Sequence, residues 1–156
     1  MCGMRIGAAA LWCAAAGLAL AAAIEEIKVE LKDGKFTGAK DDLVKFDESS
    51  GKVCMYSAGK AEYTVKIPAD GDYPLQLEMS CDQAKNVNAQ IKLTAGDKVV
   101  KEKFLLTQPE PKEYEFAAAL KKGDMKIVVE YTNDEYKEGE FDRNFYLHAM
   151  KLNLKK

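Results

Sequence analysis

Five carboxylates lie within nine residues of this sequence and form its most conspicuous group of side chains that could do chemistry. Such crowding costs electrostatic self-repulsion unless Lys137, Arg143 or a bound cation offsets it, and hard oxygen ligands of this kind suit calcium. The spacing does not fit an EF-hand loop. The residues alone therefore leave open a calcium site or a solvated acidic loop. The carboxylates belong to Asp134, Glu135, Glu138, Glu140 and Asp142.

Catalytic motifs receive little support from the rest of the chain. The single histidine, His148, has no candidate nucleophile near it in sequence, so a structural role is favoured over a catalytic one. The sequence contains no HExxH, CxxC, P-loop or glycine-rich dinucleotide motif. A glycosidase-type carboxylate pair is neither favoured nor opposed by spacing along the chain. The sequence predicts a protein that binds and is not an enzyme.

The elements that must position the acidic segment are predicted to be strands. Apolar residues recur with a period of two in most of the runs, which is typical of strands with one buried face. The last run is apolar on both faces in its first half, as expected for a strand in the middle of a sandwich. The segment Tyr131–Asn144 links two of these runs and is expected to be an exposed loop. The runs are 27–31, 63–67, 73–79, 87–93, 125–131 and 145–154.

Turn residues separate these runs at fairly regular intervals, as in Asp33-Gly34, Ser50-Gly51 and Lys122-Gly123-Asp124. Many short strands at this spacing predict an all-β fold, a β-sandwich of the jelly-roll type. A short helix over Phe116–Lys122 is a weaker alternative, because so short a helix is marginal and Gly123 would end it.

The N-terminal segment Met1–Ala23 has the pattern of a secretory signal peptide. Arg5 precedes an apolar stretch rich in alanine and leucine, and small residues follow it. A permanent membrane anchor is less well supported, because no basic stop-transfer cluster follows. We therefore expect a signal peptide over residues 1–23, a single domain over residues 24–156, and a secreted protein, periplasmic or extracellular, without stable membrane insertion after cleavage.

The charge of the chain excludes one class of partner. Removal of the leader takes away Arg5 and leaves 22 of the 23 basic residues and all 25 acidic ones, so the remaining chain is mildly acidic. It has no stripe of basic residues that could neutralise phosphates. Nucleic acid is therefore not an expected partner.

Cys54 and Cys81 are the cysteines that follow the leader. A disulfide and two separate buried thiols both fit the sequence.

One part of the acidic segment matches a known signature. Asn133-Asp134, a short glycine-containing loop, and then Asp142-Arg143-Asn144-Phe145-Tyr146-Leu147 resembles the signature of calcium-dependent xylan-binding carbohydrate-binding modules, those of family sixty and, more distantly, family thirty-six. These modules are β-sandwiches of about this size. The resemblance is loose over most of the chain after the leader and specific over Asn133–Leu147.

The resemblance implies a set of site residues. Asp134 and Asp142 would ligate Ca²⁺ together with a loop carbonyl such as that of Phe141, and two neighbouring sugar hydroxyls would complete the shell. Tyr136 would lie against a sugar face, and Asn133 and Asn144 would assist. The implied partner is a xylan-type polysaccharide, and an associated glycan-degrading enzyme is left open as a second partner. Arg143 is expected to fix the loop by pairing with a carboxylate.

The sequence also departs from the family pattern. His148 stands where the signature places an aspartate, so a second, structural calcium near Glu26 or Glu30 is not supported. Trp12, in the leader, is the only tryptophan, so a strong aromatic platform is missing. The alternative interpretation is a structural or adhesive secreted β-sandwich that has lost sugar binding.

Overall fold

The computed structural model describes residues 26–40 and 42–154, so the predicted leader lies outside the described residues. Two antiparallel sheets make up these residues, as the sequence predicts for a sandwich. The first sheet has the strand order β3-β4-β13-β6-β9, and β1 also pairs with β13. Its strands are β1 (Glu26–Lys28), β3 (Val44–Asp47), β4 (Lys52–Met55), β6 (Gly71–Cys81), β9 (Lys112–Leu120) and β13 (Phe145–Asn153).

The second sheet has the strand order β2-β5-β10-β7-β8. A separate two-stranded hairpin lies between β10 and β13, and a single 3₁₀ turn, Leu31–Asp33, follows β1. The strands of the second sheet are β2 (Lys35–Gly38), β5 (Gly59–Ile67), β7 (Gln90–Ala95), β8 (Lys98–Leu105) and β10 (Gly123–Tyr131); the hairpin strands are β11 (Tyr136–Lys137) and β12 (Phe141–Asp142).

Alternate residues of the long strands are buried between the two sheets. In β5, for example, Tyr63, Val65 and Ile67 are buried while Thr64 and Lys66 are exposed. Side chains on a strand point to opposite faces in turn, so each strand supplies one apolar face to a shared core. The alanine-rich run, for which a short helix was the weaker alternative, forms β9, in which every second residue from Tyr114 onward is buried.

β13 lies in the interior of the first sheet, as its sequence predicts. It pairs with β6 along one edge and with β4 and then β1 along the other. The register against β6 shifts between Leu147 and Ala149, which places a bulge at His148. β1 is shorter than the predicted run 27–31, because the 3₁₀ turn begins at Leu31 and buries that side chain.

Cys54 and Cys81 are both free and buried. Cys54 is paired in register with Tyr146 of β13, whereas Cys81 is paired with Phe145. Adjacent residues of a strand point to opposite faces, so the two thiols lie on opposite faces of the first sheet with β13 between them. The two strands that carry them are about 9.5 Å apart, beyond disulfide range. Of the two alternatives left by the sequence, the structure has the separate buried thiols.

Within the described part of the chain, no helix is long and apolar enough to cross a membrane.

Candidate functional site

The acidic segment connects the two sheets, running from the end of β10 to the start of β13. Its ends are held by Tyr131 and Phe145, whose buried rings stack with centroids 6.0 Å apart. Between them, β11 and β12 form a tight hairpin in which Tyr136 pairs with Asp142. Gly139 has a φ of +72° at the hairpin turn, a left-handed conformation that glycine adopts without strain. The loop therefore has a fixed base and a short exposed tip.

Asp134 and Asp142 lie near one another at the open end of the hairpin. Although much of Asp134 is exposed, burial of its carboxyl is the largest cause of a raised pKa, and the charge of Asp142 adds to it. The backbone amides of Ala58 and Glu135 and the hydroxyl of Tyr131 act in the opposite direction. Burial and a like charge raise the pKa because both disfavour the ionised form of the carboxyl, whereas hydrogen bonds to the carboxylate favour it. An added cation would stabilise this pair.

The side-chain oxygen of Asn144, its Oδ1, is buried and has no hydrogen-bond partner. Among the described residues, it is the one buried side-chain polar atom of which this is true. Its Nδ2 donates to the Oδ2 of Asp142 at 3.2 Å and to the Oδ2 of Asp82 at 3.1 Å. Carboxylates accept only, so these two bonds fix which end of the amide is nitrogen. The Oδ1 has neither a donor nor a cation beside it among the described residues, and it needs one of the two.

Arg143 fastens the loop to the neighbouring segment between β6 and β7. Its side chain is 5% exposed. The guanidinium donates to the backbone carbonyls of Val87 at 2.9 Å, of Ala84 at 2.8 Å and of Asn133, and its Nη2 lies 3.3 Å from Glu135 Oε2. It thus pairs with a carboxylate, as expected from the sequence, and binds three carbonyls as well. Four hydrogen bonds within the protein thus use most of its five N–H donors.

Asn133 is held by the same segment. Its Oδ1 accepts from the backbone amide of Gln90 at 2.6 Å, and its Nδ2 donates to the carbonyl of Asn88 at 3.0 Å. Both ends of the side chain are therefore engaged with backbone. In this arrangement Asn133 fixes the entry to the loop, and its contact with a ligand stays a prediction.

Tyr136 and Phe141 occupy the hairpin itself. Tyr136 is 66% exposed, the highest value among the exposed large apolar side chains of the described residues. Cross-strand partners share a face, so its ring lies beside the side chain of Asp142. Lys85 Nζ lies 4.9 Å from the centroid of the Phe141 ring and also pairs with Glu135. The backbone of Phe141 is next to Asp142, where a carbonyl could serve as a ligand.

The donor set fits calcium better than a transition metal. Among the described residues, no three His, Cys, Asp or Glu side chains are grouped closely enough to hold a metal ion. Two aspartates, one amide oxygen and a backbone carbonyl are all hard oxygen donors, which calcium accepts in a flexible shell. The unpartnered Asn144 Oδ1 is an amide oxygen that such a shell could include.

Sequence reasoning missed Asp82, which lies at the end of β6. Its Oδ2 also accepts from the hydroxyl of Tyr146 at 2.6 Å, so it joins β6 to both Asn144 and Tyr146. Asp82 and Asn144 are 62 positions apart in the chain. Only the pairing of β6 with β13 brings them together, and no local signal in the sequence indicates it.

The structure also gives His148 a neighbour that the sequence did not. Its Nε2 lies 2.7 Å from the Oγ of Ser80 across β6 and β13. Burial is the largest cause of a lowered pKa for His148, the charge of Lys52 adds to it, and Glu78 opposes it. No hydrogen bond of the described residues links the imidazole to a carboxylate, so the pair lacks the third member of a triad. A structural bond between strands remains the better interpretation.

Comparisons with known proteins agree on one class of protein. The sequence model of the family described as "Ca-dependent carbohydrate-binding module xylan-binding", CBM60, matches residues 74–156, slightly more than half of the chain. The match includes Asp82 and the whole loop from Tyr131 to Asn144. None of the curated proteins matches the chain.

Solved structures share the fold at low identity. A CBM36-1 domain of a multidomain xylanase from the hindgut metagenome of Trinervitermes trinervoides has a TM-score of 0.64 at 18% identity, covering 85% of this chain and 99% of that one. A CBM36 module in complex with calcium and xylotriose has a TM-score of 0.57 at 15% identity, covering 83% and 99%. A family 35 module from Clostridium thermocellum has a TM-score of 0.60 at 15% identity, covering 82% and 97%. These likenesses confirm the sandwich fold.

Proposed function

This chain belongs to the family of Ca-dependent, xylan-binding carbohydrate-binding modules, CBM60, and on that premise we propose that the loop Tyr131–Asn144 carries its calcium and sugar site. The protein is a non-catalytic polysaccharide-binding module, as the sequence predicts. Asp134 and Asp142 provide the carboxylate ligands for calcium. The backbone carbonyl of Phe141 provides a further oxygen.

The observation that carries this assignment is the buried Oδ1 of Asn144, which has no partner. An unsatisfied buried acceptor costs about 1–3 kcal/mol, so such atoms are rare without a purpose. The side chain is already oriented by two carboxylates, one of which, on Asp142, is itself a proposed ligand. A cation beside Asp142 would satisfy the amide oxygen and relieve the repulsion that raises the pKa of Asp134.

The sugar completes the shell of the ion. Calcium takes roughly six to eight oxygen ligands, more than these four protein groups supply, which leaves positions for two neighbouring sugar hydroxyls. Tyr136 is placed to lie against the bound sugar, because its exposed ring shares a face of the hairpin with Asp142. Asn133 sets the position of the loop entrance, and its direct contact with sugar remains a prediction.

We also propose that the module acts outside the cell. Carbohydrate-binding modules are generally extracellular, and the leader pattern over Met1–Ala23 is consistent with export. Its partner is a xylan-type polysaccharide. An associated glycan-degrading enzyme fits this role, because such modules raise the local concentration of a catalytic neighbour on the polymer.

Retention on insoluble xylan tests the proposal. The protein is applied with calcium and then with EGTA, and Asp142→Ala is compared with Glu138→Ala. Glu138 is an exposed carboxylate of the same loop, so its removal changes the net charge equally without touching the proposed ligands. We expect EGTA to abolish retention, Asp142→Ala to weaken it at least about tenfold, and Glu138→Ala to leave it unchanged.

The same experiment separates the alternative, a structural sandwich that has lost sugar binding. In that case calcium raises the melting temperature without any retention on xylan or other polysaccharides. Retention that is indifferent to EGTA and to Asp142→Ala would show that the site has been placed wrongly.

A further inference from the structure

The segment between β6 and β7 contains a tight turn whose two central residues have left-handed backbones. Ala84 and Val87 pair across this turn, and the φ angles of Lys85 and Asn86 are +54° and +61°. Asparagine adopts this conformation often, whereas a lysine is strained there because its Cβ crowds the backbone. Strained residues persist where surrounding contacts hold them, and they concentrate at functional sites. A glycine would fit the turn without strain, so the contacts of the Lys85 side chain are what distinguish the residue present.

The Lys85 side chain reaches both sides of the hairpin formed by β11 and β12. Its Nζ pairs with the carboxylate of Glu135, just before β11, and lies 4.9 Å from the centroid of the Phe141 ring in β12. The hydrogen bond from Lys85 is the largest cause of a lowered pKa for Glu135. Asp134 is the chain neighbour of Glu135, and Asp142 is that of Phe141. One cation thus contacts the residue next to each of the two proposed carboxylate ligands.

These contacts lie on the face of the hairpin opposite to the proposed site. Tyr136 and Asp142 are partners in register, so their side chains share one face. Phe141 is adjacent to Asp142 in β12 and its side chain points to the other face, and Glu135 is adjacent to Tyr136 in the same way. Lys85 therefore supports the hairpin from the side away from Asp142.

The segment that carries Lys85 is itself well anchored. Gln83 Nε2 donates to Asn88 Oδ1 at 2.7 Å, and Asn88 Nδ2 donates to the carbonyl of Leu106, also at 2.7 Å. Arg143 bonds two carbonyls of the turn from the hairpin side. The backbone of Lys85 is thus fixed to the sandwich, and its charged end holds the two sides of the hairpin.

We propose that Lys85 is a positioning residue of the calcium site, which sets the spacing of the two sides of the hairpin and so the affinity for the ion. The inference rests on the proposed function and deepens it, since it assigns control of calcium affinity to a residue that touches neither the ion nor the sugar. By charge alone, a nearby cation weakens calcium binding, so its removal would strengthen it. Positioning predicts the opposite sign, because ligands that are not held in place must be ordered when the ion binds.

The calcium affinity of Lys85→Gly, measured by calorimetry, tests this role. The substitution removes the side chain and relieves the left-handed strain together, so the calcium-free melting temperature should change by less than about two degrees. The dissociation constant for calcium should rise by about three- to fivefold, which is the size of effect expected for an exposed charge pair. At saturating calcium, retention on insoluble xylan should equal that of the unaltered protein.

Two further variants serve as controls. Lys85→Arg keeps a cation for both Glu135 and the Phe141 ring and should keep the calcium affinity. Lys121→Ala removes the same charge and an exposed ion pair, 2.9 Å from Asp70, at the opposite end of β10 from the hairpin. It should leave the calcium affinity unchanged.

An unchanged or stronger calcium affinity in Lys85→Gly overturns the positioning role and leaves the calcium site intact. A weaker affinity accompanied by a calcium-free melting temperature several degrees lower shows a general contribution to the fold and also overturns the positioning role. Absence of calcium binding by the unaltered protein overturns the proposed function, and the positioning role with it.

Discussion

Asn144 donates a hydrogen bond to Asp142 across 3.2 Å while its own Oδ1 is buried without a partner. One side chain thus orients a carboxylate through its amide nitrogen and leaves its own oxygen without a partner. Such an arrangement is poorly satisfied on its own and well satisfied around a cation. The calcium affinity of this loop should depend on Asn144 as well as on the two aspartates.

Asn144→Asp should make the protein more dependent on calcium. The new carboxylate would face Asp82 and Asp142 without the amide donor that now joins them, so the calcium-free protein should melt several degrees lower. With calcium, the added charge should strengthen ion binding, and the calcium-induced rise in melting temperature should exceed that of the unaltered protein.

The control is Asn153→Asp, at the far end of β13, where the side chain bonds Gln76 at 2.7 Å. Its calcium-induced rise should equal that of the unaltered protein. If calcium raises the melting temperature equally in both variants and in the unaltered protein, Asn144 does not contribute to calcium binding.

Arg143→Ala should be clearly destabilising. It removes the charged donor to the buried carbonyl of Ala84 and to the partly buried carbonyl of Val87, which then keep only each other's backbone amides. We expect a loss of about 1.5–3 kcal/mol in the free energy of unfolding, measured by urea denaturation. Lys85→Ala removes an exposed partner of Glu135 and should cost less than about 1 kcal/mol. Similar losses of unfolding free energy in both variants would contradict the role of Arg143 in fastening the loop.

Stability should fall as the pH drops below the ordinary pKa of histidine. His148 has a lowered pKa in the folded protein, so below about pH 6.5 the unfolded chain binds a proton that the folded chain does not. The stabilisation is present above that pH and is lost as pH falls toward the folded value. His148→Gln should make the melting temperature less dependent on pH below about pH 6.5. An unchanged slope would show that other groups cause the pH dependence.

Reducing agent should not change the melting temperature. Cys54 and Cys81 lie on opposite faces of the first sheet and are separated by β13, so no bond joins them. Melting with and without dithiothreitol checks this directly. A native disulfide would reveal itself as a clear drop on reduction, since its loss typically costs about 2–5 kcal/mol.

The fold could be predicted where a strand buries only one face. The alternation in β5 and β10 is plain in the sequence, because alternate residues of each strand face the core and those between them do not. β8 gave no such signal, since it is an edge strand with charged residues along its length and is held by pairing with β7. The predicted run 87–93 begins too early, because Val87 belongs to a turn and is 40% exposed.

The site could be predicted only as far as it is local. Asp134 and Asp142 lie within one loop, so their meeting follows from a hairpin between them. Asp82 reaches Asn144 from the end of another strand, and its position depends on the register of the first sheet. Asn133 illustrates a different limit, because its bonds to the backbone of Asn88 and Gln90 give it a positioning role that a sequence motif does not reveal.

The stacked rings of Tyr131 and Phe145 mark where the loop leaves and rejoins the sandwich. Both belong to the buried core, whereas none of residues 136–141 does. Asn133 and Arg143 fasten the two ends of the loop to the segment between β6 and β7. Exchange of residues 136–141 alone for the corresponding residues of a relative should therefore change ligand preference while the sandwich still folds, which is a route by which one scaffold can diversify toward many glycans.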